Sequence, residues 1–270
     1  MDGDSLAHRA YHALPKTLAR AEGRPAGALL GFTNMLVRLW ENERPGAVLV
    51  GWDTLSVPTY RHNEFEAYQS GRVFDDALLE QLELLPELVR SCGFASAKAD
   101  GYEADDFLAA AARTWVGEIV VATSDRDAFQ LVNDRVTILQ PTRGVSELAR
   151  IGPAEVRERY GVEPEQVPDL IALRGDPSDK LPGARGVGPK KAAEILRQYR
   201  TLEAALADGR FAAEAEDLRL YRRIAQMDAS APLPPLVDQT PTWAEASTYV
   251  RRLGLNALAE RLASLAAPSE

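Results

Sequence analysis

The feature that most constrains the fold is a set of short apolar, β-branched runs that end at acids. "AVLVGWD" (Ala47 to Asp53) stops at Asp53, and "GEIVVATSDRD" (Gly117 to Asp127) stops at Asp125 and Asp127. Such runs are too short for a helix and read as buried strands. "RVTILQP" (Arg135 to Pro141) is a third, expected to stop at its proline, which has no N–H for a neighbouring strand. Two helical patterns, "AGALLGFTNMLVRLWENE" and "DDALLEQLELLPELVRSCG", alternate with them, the second ending at Gly93 as a helix C-terminus often does. Strand–helix alternation at this spacing implies an α/β fold, a mostly parallel sheet flanked by helices.

In such sheets ligands bind outside the carboxyl ends of the strands. Asp53, Asp125 and Asp127 stand at two of those ends. A third acidic segment, "GYEADDF", places Glu103, Asp105 and Asp106 at the start of the helix that leads into the strand near Ile119. Its start is therefore expected at the same edge. One acid there would be an ordinary helix cap, favoured by the macrodipole. Six acids from three segments point instead to a shared cation. Clustered carboxylates raise one another's pKa unless a cation neutralises them. Oxygen-only ligands select Mg²⁺ or Mn²⁺ over zinc, and a set this large suggests two ions, which suits phosphoryl chemistry.

The second half has a different character. From "GPAEVRERYG" onward the pattern is helical with no evident strand. Within it lies "LRGDPSDKLPGARGVGPKKAAEILRQY" (Leu173 to Tyr199), where the Gly186–Gly188 turn opens a helix at Pro189. Backbone N–H groups at such a start suit a phosphate. Lys180, Arg185, Lys190, Lys191, Arg197 and Arg200 make the stretch locally basic, and Asp176 and Asp179 add two more acids. A plain helix–helix connection would explain the turn alone. The coincidence favours a grip on a DNA backbone without sequence preference. The net charge of −9 excludes a protein coated in nucleic-acid-binding surface, but here acids and bases are segregated. The single Cys92 excludes an internal disulfide and a cysteine zinc site. No apolar run approaches the ~20 residues of a membrane span, and no leader pattern opens the chain, so a cytosolic protein is expected.

Together, "DGDSLAHRAYHALP", "WDTLSVPTYRHNEFEAYQSGR", "GYEADD", "TSDRD" and "GDPSDKLPGARGVGPKKA" resemble the bacterial 5′-nuclease or flap endonuclease family, which includes the N-terminal nuclease domain of DNA polymerase I. The resemblance implies a PIN-like nuclease domain over 1–148. It also implies a helical region over 149–270, with a helix–three-turn–helix (helix-hairpin-helix) DNA-binding element at about 170–200 and a last helix packing back. Asp2, Asp53, Glu103 and Asp105 would surround one ion and Asp125, Asp127, Asp176 and Asp179 the second, with Asp106 in the outer shell. Arg72, Asp105 and Asp125 would be catalytic. DNA would be held by Arg61, Tyr68, Arg72, Gly186, Gly188, Lys190 and Lys191, with room for K⁺ at the glycine turn. The implied function is Mg²⁺- or Mn²⁺-dependent cleavage of 5′-flap or 5′-ended DNA in replication and repair. The protein is expected to be a monomer at the nucleoid, acting alone or with a DNA polymerase in trans because no polymerase sequence follows. A PIN-type ribonuclease and a catalytically weak DNA-structure-binding relative are the alternatives.

Two departures from the family pattern matter. Where the family has Tyr-Lys-x-x-Arg, this chain reads "YQSGR", so Gln69 replaces a lysine. Asp2, which in the family ends an apolar central strand, is preceded only by Met1. The expectation is that this start is internal to a longer reading frame and that the chain as it stands is poorly stable. His8, His12 and His62 are too scattered for a metal cluster and are read as surface or core residues. "ASAPLPPLVDQTPT" (Ala229 to Thr242) is expected to be an extended linker feeding a final helix over "WAEASTYVRRLGLNALAERLASL".

Overall fold

In the computed structural model, which describes residues 1–143 and 147–266, the parallel sheet forms around an unusually short centre. Its strands are β1 (Leu49–Gly51), β2 (Ala95–Ala97), β3 (Ile119–Ala122), β4 (Val136–Arg143) and β5 (Glu147–Ile151). β1 pairs parallel with β2, Leu49 opposite Ala95, and β3 pairs parallel with β4, Ile119 opposite Val136. β5 closes the far edge antiparallel to β4. Among the described residues, the first two residues supply the backbone pairing between the two halves of the sheet. The Asp2 N–H donates to Ala122 O (2.9 Å), the Gly51 N–H to Met1 O (3.0 Å), and the Met1 amine to Leu49 O (2.6 Å). The spatial order is therefore β2, β1, residues 1–2, β3, β4, β5. Below Met1 the central track continues as a cavity of about 80 Å³ lined by Leu36, Leu49, Val120 and Ala122 among others.

The helices are α1 (Gly3–Ala13), α2 (Gly27–Glu43), α3 (Tyr60–Glu64), α4 (Asp76–Ser91), α5 (Ala104–Thr114), α6 (Pro153–Tyr160), α7 (Val167–Arg174), α8 (Pro189–Tyr199), α9 (Leu202–Ala207), α10 (Ala215–Ala225), α11 (Trp243–Arg252) and α12 (Asn256–Ala266). One core packs α1, α2 and α4 around Trp52, with Leu6, Phe32, Leu85 and Leu88 fully buried. A second joins Leu108, Phe129 and Ile138 to α7, α8 and α10, and a small third gathers Leu49, Ala97 and Phe107. The helical region thus shares a core with the β3–β4 half of the sheet, while the sheet itself runs on to Ile151, past position 148.

Three local expectations change. β4 continues through Pro141 to Arg143, because beyond Leu139 it pairs only with β5 and its register there is already irregular. A missing N–H is harmless at such a place. The final helical pattern is two helices, broken at Gly254, whose φ of +80° suits glycine. They return to the first core, where Trp243 meets Trp40 and Phe94 edge-on at 5.3 and 5.5 Å. Ala229 to Thr242 is extended as expected, but it is tied down: Gln239 Oε1 accepts from the Val48 N–H (2.8 Å), and the Gln239 N–H donates to Gly46 O (2.7 Å).

Candidate active site

The carboxyl ends of the strands open into a cleft of about 940 Å³. Asp2 reaches it from the short central strand. Its Oδ2 accepts from the Thr123 hydroxyl (2.6 Å) and its Oδ1 from the Ser5 N–H (3.0 Å), so it also caps α1. Asp53 follows β1 and accepts from the Ala104 N–H (2.7 Å), which fastens the strand end to the start of α5. That approach depends on Gly51, because a Cβ there would lie 2.6 Å from Ala104 O. Asp125 and Asp127 follow β3, with the Asp127 N–H donating to Asp125 Oδ1 (2.9 Å). Glu103 and Asp105 enter from α5. Asp176 and Asp179 enter from the turn after α7, where Gly175 at φ +78° leaves no room for a Cβ against Leu181 O. Eight of the nine expected acids thus share one cleft.

Asp106 does not. It is fully buried behind the wall, where it accepts from the Glu103 N–H (3.0 Å) and the Asp228 N–H (2.7 Å). Arg61, expected at DNA, is beside it and only 2% exposed. Its guanidinium donates to both Asp106 oxygens (2.8 and 3.0 Å) and to Asp105 Oδ2 (3.3 Å), its Nε donates to Ile224 O (3.0 Å), and Glu103 lies at 3.4 Å. An arginine so enclosed is an internal counter-ion and not a DNA contact. Burial alone would lower its pKa, but Asp105, Glu103 and Asp106 hold it well above the usual range. Tyr68 is also buried, its hydroxyl donating to Glu103 Oε2 (2.9 Å), while Arg72 stands exposed on the rim.

The cleft resists ionisation. Burial raises Asp2 to about 6 and Asp179 to about 6. Burial, then the charges of Asp4 and Glu103, push Asp53 well up. Asp105 and Asp127 are raised well above the carboxylate range, again mainly by burial. Asp125 is raised too, with Arg72 among the groups that hold it down. Such a set is short of positive charge. The buried Asp105 Oδ1 has no hydrogen-bond partner. Among the described residues, no three side chains already stand in a closed metal-holding arrangement. The donors therefore fit hard divalent ions by chemistry, oxygen only, and the unpartnered Asp105 oxygen agrees.

Some cleft residues escaped the sequence reading. Asp4 is 6% exposed, accepts from the Asp53 N–H (2.8 Å), and is raised to about 7 by burial. His8 and His12 line the opposite wall with Arg9; burial and then the charges of His12 and Arg72 lower His8 to about 4. Their i, i+4 spacing on one helix was the available signal. In the basic segment, Gly188 caps α8, and a Cβ added at Gly186 or Gly188 would meet nothing within 4 Å, so the helix start is open. Lys190 and Lys191 are exposed beside it.

Two family models match in succession, the 5′-3′ exonuclease N-terminal resolvase-like domain over residues 1–161 and the 5′-3′ exonuclease C-terminal SAM fold over 162–247. The chain belongs to the 5′-3′ exonuclease family. DNA polymerase I of Mycobacterium tuberculosis is 42% identical over 207 residues, covering 75% of this chain and 23% of that protein. The thermostable DNA polymerase I of Thermus thermophilus is 35% identical over 285 residues, covering all of this chain and 33% of its own. This exonuclease chain thus spans about a quarter to a third of the relatives' length. Among solved structures, T5 D15 protein co-crystallised with metal ions superposes with a TM-score of 0.67 at 18% identity, covering 98% of both chains. Human GEN1 in complex with Holliday junction DNA gives 0.63 at 12%, covering 98% of this chain and 70% of that one. Both likenesses establish the fold. No described helix of this family member is long and apolar enough to cross a membrane.

Proposed function

We propose that the chain hydrolyses DNA phosphodiesters at 5′ flaps and 5′ ends, using divalent cations held in the acid cleft. The observation that carries this reading is the convergence of carboxylates from the start of α1, the end of β1, the start of α5, the end of β3 and the turn after α7 on one cleft. Asp2, Asp53, Glu103 and Asp105 would hold one cation, and Asp125, Asp127, Asp176 and Asp179 the other. Two Mg²⁺ or Mn²⁺ ions, when bound, supply the positive charge that activates water and polarises the phosphate. Arg72 on the rim binds the phosphate undergoing attack, and Tyr68 orients Glu103 through its hydroxyl. Asp106 and Arg61 hold Glu103 and Asp105 in place from behind. The open N-terminus of α8, with Gly186, Gly188, Lys190 and Lys191, grips the duplex backbone, and the glycine turn would hold a K⁺ that supplies further positive charge for a phosphate. The nuclease works as a monomer at the nucleoid, on DNA that a polymerase is extending. That relatives of this sequence are DNA polymerases I supports the setting.

The test is cleavage of labelled 5′-flap DNA and its RNA counterpart, with Mg²⁺, with Mn²⁺ and with EDTA. Cleavage of DNA should return when either metal follows chelation, and Asp105→Asn or Asp125→Asn should cost ~10²-fold or more. Undiminished turnover in those variants would overturn the two-ion assignment. Tight flap binding without cleavage would make the chain a DNA-structure-binding protein, a reading that Gln69 in place of the family lysine favours. Preferential RNA cleavage would make it a ribonuclease.

A further inference from the structure

Gln69 sits in the left-handed region at φ +49°, a conformation that costs an L-residue with a side chain free energy. Such residues persist where their surroundings over-determine them, and they cluster at functional sites. Here the surroundings are three hydrogen bonds made by one amide. Its Nε2 donates to the Tyr68 hydroxyl (2.7 Å) and to Asp179 Oδ1 (3.1 Å), and its Oε1 accepts from Arg72 Nη1 (2.6 Å). Tyr68 in turn donates to Glu103. One side chain therefore spans the cleft from the α5 wall to the turn after α7 and holds the rim arginine at the same time. The backbone agrees, because the Arg72 N–H donates to Gln69 O (3.3 Å).

We propose that Gln69 is a positioning residue that aims Arg72. A lysine at this position would donate to Asp179 but could not accept from a guanidinium; an amide does both. With Oε1 as its anchor, the flexible Arg72 side chain is pre-ordered at the cleft rim and the substrate meets it already placed, which shows in rate more than in affinity. This proposal rests on the reading of Arg72 as the arginine that meets the reacting phosphate.

The experiment is a double-mutant cycle on single-turnover cleavage of 5′-flap DNA in Mg²⁺, with Gln69→Met and Arg72→Ala, alone and together. Methionine keeps the length of the side chain and removes all three hydrogen bonds. Gln69→Met should slow cleavage by about tenfold, as expected for losing hydrogen bonds to a charged group, with flap affinity within about twofold and melting temperature unchanged. In the double variant the losses should fall well short of multiplying. Cleavage by Gln69→Met at the parental rate, a loss seen only in affinity, or losses that multiply would overturn the role of Gln69 while leaving that of Arg72 intact. An unimpaired Arg72→Ala would overturn the reading of Arg72, and this proposal with it.

Discussion

Arg61→Met tests whether the buried arginine holds the acid wall together. The guanidinium is 2% exposed, and its bidentate partner Asp106 is not exposed at all. Methionine fills much of the volume but leaves the Asp106 charge without a cation, Ile224 O without its donor, and Asp105 and Glu103 without their nearest positive charge. Breaking a buried ion pair from one side costs about 3–5 kcal/mol. A domain's whole stability is ~5–15 kcal/mol, so the variant should fold but sit near the edge. The assay is urea unfolding near neutral pH in EDTA and again in Mg²⁺, compared at equal m-values. Mg²⁺ should return part of the loss by neutralising Asp105 and Glu103, though not the part due to Asp106, which does not line the cleft. Arg61→Met combined with Asp106→Leu should be less damaging than the sum of the single changes, since the fully buried Asp106 charge is no longer left alone. A surface arginine at a DNA phosphate behaves otherwise: its loss leaves stability within ~0.5 kcal/mol and flattens the salt dependence of binding. A loss under about 1 kcal/mol in EDTA would refute the clasp.

Three further outcomes follow from the same structure. In EDTA, stability should fall as pH rises from about 4 to 7: the folded pKa values of Asp2 (about 6) and Asp4 (about 7) lie above the ordinary value of 3.8, so the native state holds protons that the unfolded chain has released. The loss should reach several kcal/mol, since each tenfold change in a carboxyl's proton affinity is worth roughly 1.4 kcal/mol, and saturating Mg²⁺ should flatten it; the Met1 amine, lowered by burial to about 6 from 8.0, works the other way between pH 6 and 8. Equal urea midpoints at pH 5 and pH 7 without metal would contradict this. Lys190→Ala with Lys191→Ala should weaken flap binding evenly across sequences and reduce the salt slope by about 1 to 2, and an unchanged slope would make the α8 start merely structural. Replacing Met1 by Leu-Leu-Leu-Val should fill the 80 Å³ cavity, remove the buried amine and add strand pairing beside Val120, raising the melting temperature by ~5 °C or more together with flap cleavage. An unchanged melting curve and rate would show that residues 1–2 already complete the sheet.

What was legible in the sequence is what chain order alone determines. Val and Ile runs locate β1, β3 and β4, and an acid directly after such a run lands at the strand's carboxyl end whatever packs elsewhere. Asp53, Asp125 and Asp127 were therefore within reach, and the helix start of "GYEADDF" followed from its place before β3. β2 was not, because Ala95–Ala97 ("ASA") carries no β-branched signal and becomes a strand only by pairing with β1. Arg61 failed for a different reason. A charged residue defaults to the surface, and its burial follows from partners 45 positions away at Asp106 and 163 away at Ile224. Gln69 likewise looked like a lost positive charge until Asp179, 110 residues on, came within reach. The division has a physical cause. The carboxylates of the cleft are laid down at strand ends, helix starts and one turn, by local rules. The groups that keep those carboxylates apart without a cation must bridge segments, and only the folded chain brings such segments together. For this cleft, the sequence therefore shows best where charge accumulates and least which groups bridge it, as Arg61 and Gln69 do by hydrogen bonds.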